Sequence, residues 1–94
     1  MTKYRIIPSS KFLKDFANIK SRKYNISILA DVVDRLSKGK KLDKKHKDHK
    51  LTDSRNYKNC RECHISNDWL LVYRIDNNCL LLLLLTTGTH SDLF

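Results

Sequence analysis

The sequence predicts an α+β domain in which two helices cover one face of a small, largely antiparallel sheet, in the order β-α-α-β-β-β. Three observations carry this. Leu29, Val32, Val33 and Leu36 recur at i, i+3, i+4 and i+7, the spacing of one face of an α-helix. Two apolar runs, Trp69 to Ile75 and Leu80 to Thr86, flank Asp76-Asn77-Asn78, residue types that close a hairpin. Between Cys60 and Ser66 the chain alternates, with Cys60, Glu62 and His64 facing one way and Arg61, Cys63 and Ile65 the other.

The elements follow in order. Tyr4 to Ile7 is a short β-prone stretch ended by Pro8. Ser9 and Ser10 are N-cap residues for a first helix, in which Phe12, Leu13, Phe16 and Ile19 share a face, running to about Lys20. Asn25 caps a second helix, and Gly39 stands where a left-handed residue ends it. The short link between them predicts a helical hairpin. Residues 38–53, KGKKLDKKHKDHKLTD, hold seven lysines and three aspartates without periodicity and read as a surface loop. Asn67-Asp68 is a turn between the first two strands of the C-terminal part. The six leucines from Leu80 to Leu85 suit a central strand covered on both faces.

Ninety-four residues make one domain, 1–94, too small for a deep enclosed site, so a shallow surface groove is expected. Lys and Arg number 19 against 10 Asp and Glu, a net charge of +9 that favours a polyanionic partner, nucleic acid or an acidic protein. The start, MTKYRIIPSS, has no apolar segment of the secretory kind, and the run from Cys79 to Leu85 is too short to span a bilayer. The expected setting is the cytoplasm, with Cys60, Cys63 and Cys79 as reduced thiols and no membrane partner.

Four histidines, His46, His49, His64 and His90, are the chemistry-bearing residues. Cleavage of RNA by its ribose 2′-hydroxyl needs one proton removed from that hydroxyl, one delivered to the 5′-oxygen, and support for the charged phosphorane between them. Imidazole suits both transfers because its ordinary pKa of about 6.5 lies near working pH. Lysine and arginine suit the charge, and Trp69 and Phe94 can stack on bases. A zinc reading of Cys60-x-x-Cys63-His64 is disfavoured, because alternation sends the two thiols to opposite faces of one strand.

KDHKL (47–51), RECHI (61–65), DWLLVYRI (68–75) and TGTHSDLF (87–94) together resemble the YafQ-like branch of the RelE superfamily, toxins of bacterial type II toxin–antitoxin systems. The resemblance spans the C-terminal half; the first 40 residues match in pattern only. It implies a small antiparallel sheet on two helices and a ribosome-dependent messenger-RNA endonuclease. It implies that a cognate acidic antitoxin holds the enzyme inactive, in a hetero-oligomer, and that no metal or other cofactor takes part. Position by position it implies His90 as proton donor to the leaving oxygen, and His49, His64 and Asp68 as candidates for the base and for orienting the ribose. Trp69 and Phe94 belong to the same site, and Lys47, Lys50, Arg61 and Arg74 are expected substrate contacts. One departure stands out: the family has an arginine directly before TGTH, and here that residue is Thr86. A relative without catalysis would bind antitoxin and ribosome as a decoy. The gyrase-directed ParE branch lacks this histidine set.

Overall fold

A computed structural model describes residues 2–51 and 57–93. β1 (Arg5–Pro8) leads into α1 (Ser10–Ser21) and α2 (Ile26–Ser37). A 3₁₀ turn (Lys44–His46) and β2 (His49–Lys50) follow. Then come β3 (Arg61–Ser66), β4 (Trp69–Asp76), β5 (Leu81–Thr89) and a single helical turn, α3 (His90–Leu93). The sheet order is β1-β5-β4-β3-β2.

The helix boundaries follow local chemistry. Ser9 Oγ accepts from Phe12 N at 2.9 Å, and Asn25 Oδ1 accepts from Ser27 N at 3.2 Å. These side chains satisfy amides that a helix start leaves unpaired. At the end of α2, Gly39 N donates to Leu36 O and Lys40 N to Arg35 O, both at 3.0 Å. That pattern needs a left-handed residue, and Gly39 supplies it at φ 73°. Asp76 Oδ1 accepts from Asn78 N and Cys79 N at 3.0 and 3.1 Å and so closes the β4–β5 turn.

The α+β order holds, with α1 and α2 on one sheet face. The sheet is mixed, because β1 pairs parallel to β5 while the other three pairings are antiparallel. The expected surface loop contributes a fifth strand, β2, since His49 and Lys50 pair with Glu62 and Arg61. Two residues are too few for periodicity to register. β5 runs to Thr89, three residues beyond its predicted end. Its leucines are covered on one face only: Leu82 and Leu84 are buried, whereas Leu81, Leu83 and Leu85 are half-buried.

Tyr4, Phe12, Ile19, Leu29, Val32 and Leu36 pack on Cys63, Ile65, Trp69, Leu71, Tyr73, Leu82 and Leu84 to form the core. A bulge in β5 then changes what the strand presents. Tyr73 pairs with Leu84 but Val72 pairs with Thr86, so Leu85 is the extra residue. Thr87, not Thr86, therefore carries on the core-facing line, and Thr86 joins the register row His49, Glu62, Val72.

Candidate active site

His49 and His64 meet over one buried carboxylate. Glu62 is 5 % exposed, and its Oε1 lies 3.7 Å from His49 Nε2 and 4.0 Å from His64 Nε2. The register explains the meeting: His49 stands directly opposite Glu62, and His64 is two residues along the same strand, so all three point to one face. His49 is oriented by Nδ1, 2.7 Å from Lys47 O. Glu62 had no role in the expected site. Its alternation with His64 was legible, but its burial came from the neighbouring strands.

His90 enters from the other end of the sheet. It is the first residue of α3, a turn built by reciprocal capping: Asp92 Oδ2 accepts from Thr89 N at 3.0 Å, and Thr89 Oγ1 accepts from Asp92 N at 3.3 Å. Gly88 permits the turn, because a Cβ there would lie 3.0 Å from Asp92 Cβ and Oδ2. His90 Nδ1 is 2.5 Å from Asp68 Oδ1 across the β3–β4 turn, and His90 N donates to the same oxygen at 3.4 Å. These bonds from His90 lower the Asp68 pKa, so at neutral pH the carboxylate is ionised and accepts from an Nδ1–H. That fixes the tautomer and directs Nε2 toward any proton exchange with a ligand. The rings of His64 and His90 pack edge to face with centroids 6.0 Å apart, which joins the two halves of the site.

A clamp holds this turn to α1. Arg22 Nη1 and Nη2 donate to Asp92 Oδ2 and Oδ1 at 2.9 and 3.3 Å. Those bonds and the Thr89 amide hold the Asp92 pKa down at about 2, against an ordinary 3.8. A depressed carboxylate pKa contributes stability above the ordinary value and loses it as pH falls toward the depressed one. The Asp92 carboxyl carbon is therefore expected to titrate by NMR near pH 2, and in Arg22→Ala to move toward 3.8. An unshifted midpoint in that variant would remove the clamp.

Two expected contacts are corrected. Trp69 is 2 % exposed in the core, edge-on to Tyr24 at 5.2 Å, with Nε1 donating to Thr87 Oγ1 at 2.9 Å, so it offers no face to a base. It faces the helices because β4 begins on the parity of Leu71 and Tyr73. Arg61 lies on that same side, opposite to Glu62 and His64. Its guanidinium donates to Asp48 Oδ1 and Oδ2 at 3.3 and 3.2 Å, and Tyr73 Oη donates to Asp48 Oδ1 at 2.6 Å, so its charge is spent in the fold. The four histidines also divide in role: His46 is 8 % exposed, its Nδ1 2.6 Å from His64 O.

Lys47 and Lys50 are exposed beside His49, and Arg74 is exposed on the open face, one step along β4 from Val72, the partner of Glu62. Phe94 lies outside the described residues. Thr86 is fully buried; its hydroxyl donates to Asp15 Oδ2 and accepts from Lys11 Nζ at 3.0 Å. Lys11 also pairs with Asp15 at 3.0 Å. Sequence reading missed Lys11, because a Lys–Asp pair four residues apart looks like ordinary helix surface. Cys63 is in the core, its thiol pushed far up by burial, and does not converge with Cys60. Among the described residues no three His, Cys, Asp or Glu side chains are grouped to hold a metal ion, and no helix is long and apolar enough to cross a membrane.

A mixed five-stranded sheet backed by two helices is the architecture of small bacterial toxins already solved. A metal-bound toxin from Helicobacter pylori is 37 % identical over all of both chains, with a TM-score of 0.89. YafQ in the E. coli DinJ–YafQ toxin–antitoxin complex is 30 % identical over 98 % of each chain, with a TM-score of 0.87. Residues 4–94 match the model of the YafQ family, bacterial toxins of type II toxin–antitoxin systems, and the chain belongs to that family. The mRNA interferase toxin YafQ of E. coli K12 is 41 % identical over 49 residues, 52 % of this chain and 49 % of that protein. The match thus spans about half the length of the curated relatives.

Proposed function

We propose that this protein is a messenger-RNA endonuclease, the toxin of a type II pair, acting on translating ribosomes in the cytoplasm. The observation that carries the reading is the Asp68–His90 pair, 2.5 Å apart, facing a second imidazole, His64, at 6.0 Å between ring centroids. Two histidines at this separation, one oriented by a carboxylate, suit transfer of one proton in and one out across a phosphodiester.

In this reading the ribose 2′-oxygen attacks phosphorus as the Glu62, His49 and His64 group takes its proton. The bond to the 5′-oxygen breaks as His90 protonates that oxygen. The products are a 2′,3′-cyclic phosphate and a 5′-hydroxyl, and no co-reactant is required. Asp68 is a positioning residue for His90, and Glu62 lies between His49 and His64. Lys47, Lys50 and Arg74 offer charge to the phosphates, and Lys11 brings a cation to the row that ends at Thr86. An acidic antitoxin competes for the same positive face, as one surface cannot hold both polyanions; the DinJ–YafQ complex supports a partner of that kind.

Primer extension on a reporter message after induction tests the reading. Cuts inside translated codons, ending in cyclic phosphate and weakened in Asp68→Asn, are expected. The buried Thr86, where the resemblance implies an arginine, favours a second reading: a protein that binds antitoxin and ribosome without cutting. Absence of cuts, with binding retained, would select it.

A further inference from the structure

A second cleft opens beside the histidines. It has a volume of about 570 Å³, within the range of small-molecule sites, and lies between α2, the 3₁₀ turn and the end of β3. His46, more than nine-tenths buried, lines it and pins the turn to β3 through the 2.6 Å contact of Nδ1 with His64 O. His64 lines the cleft, and its side chain belongs to the candidate active site.

The lining is sorted by chemistry. Ile28, Val32 and Ile65 give an apolar floor suited to the face of a base. Lys45, Lys47 and Arg35 bring three positive charges, suited to a sugar–phosphate backbone. Two carboxylates stand among them. Asp43 is 3.7 Å from Arg35, whereas Asp31 has no hydrogen bond or ion pair among the described residues. A carboxylate accepts hydrogen bonds from an exocyclic amino group on a base edge. A base edge offers that carboxylate an amino donor and an acidic side chain offers none, so the lining favours RNA over an acidic peptide.

The geometry points to a nucleotide subsite: the cleft takes an RNA nucleotide flanking the cut, with Asp31 selecting bases that carry an exocyclic amino group. This rests on the RNA-substrate reading above and adds the recognition that reading lacks. It gives Asp31, Lys45 and Lys47 a role in choosing where the message is cut.

Methyl NMR of the intact protein tests it with cytidine and uridine monophosphates, bases of equal size that differ in the amino group. Cytidine monophosphate is expected to move the methyl signals of Ile28, Val32 and Ile65 with an affinity about tenfold above that of the uridine nucleotide. Asp31→Ala, at an exposed position, is expected to erase that difference. Equal response to both nucleotides, or none at these methyls, would overturn the assignment. So would a response to hexaglutamate alone, which would make the cleft a protein-docking site. The nuclease reading is judged separately by message cleavage. Cleavage with an unresponsive cleft removes the subsite and keeps the nuclease; a responsive cleft in a protein that cuts nothing does the reverse.

Discussion

Replacing His90 with alanine is expected to lower message cleavage by about 10²–10⁴-fold, the usual contribution of a positioned acid or base. The fold should be unaffected. The His90 side chain is 56 % exposed, and exposed substitutions away from special backbone features rarely move stability by more than about 0.5 kcal/mol. Thermal unfolding followed by circular dichroism, beside primer extension on the same induced message, separates the two effects. Asp68→Asn should fall between His90→Ala and the parent, because it keeps the geometry but loses the charge that selects the tautomer. Undiminished cleavage in His90→Ala would end the assignment of proton donor. Equal loss of cleavage and of fold would move His90 from chemistry to structure.

Trp69→Ala is expected to destabilise the protein by about 3–5 kcal/mol, the range for deleting a large buried aromatic. A small domain holds about 5–15 kcal/mol in total, so this one change approaches the whole margin. The loss combines the cavity beneath Tyr24 with the buried Nε1 bond to Thr87 Oγ1, whose hydroxyl keeps only its bond to Leu70 O. Urea unfolding measures it. Trp69→Phe keeps much of the packing and loses the Nε1 bond, and should recover a large part of the stability. A base-stacking tryptophan predicts the contrary, with stability unchanged in Trp69→Ala and RNA affinity reduced.

The two residues show what a sequence block can single out and what it leaves undecided. His90 was legible because TGTHSDLF is a specific block, and the short alternating strand Cys60 to Ser66 put His64 on a face with Glu62. The role of Trp69 was not legible. A tryptophan at the start of a strand has the same local pattern whether it faces helices or solvent, and only the parity of β4 against the core decides. Arg61 fails for a related reason. Its neighbours in sequence are site residues, but alternation turns it to the helix side, where it pairs with Asp48, itself held by Tyr73.

Local sequence by itself determined the two helices, both N-caps, the glycine stop at Gly39 and the β4–β5 turn, because these depend on side chains within a few residues of the backbone they satisfy. It also determined the basic charge and the supply of histidines. Only the tertiary structure decided which of them meet. The parallel pairing of β1 with β5 joins segments more than seventy residues apart, and no local pattern encodes it. The β5 bulge moves Thr86 into the row of Glu62, and the pairing of His49 with Glu62 makes a strand from a lysine-rich loop. The Arg22–Asp92 clamp and the Lys11–Thr86 contact cross 70 and 75 residues. Each is a long-range contact whose loop-closure cost is met by the folded core as a whole and not by the residues that form it.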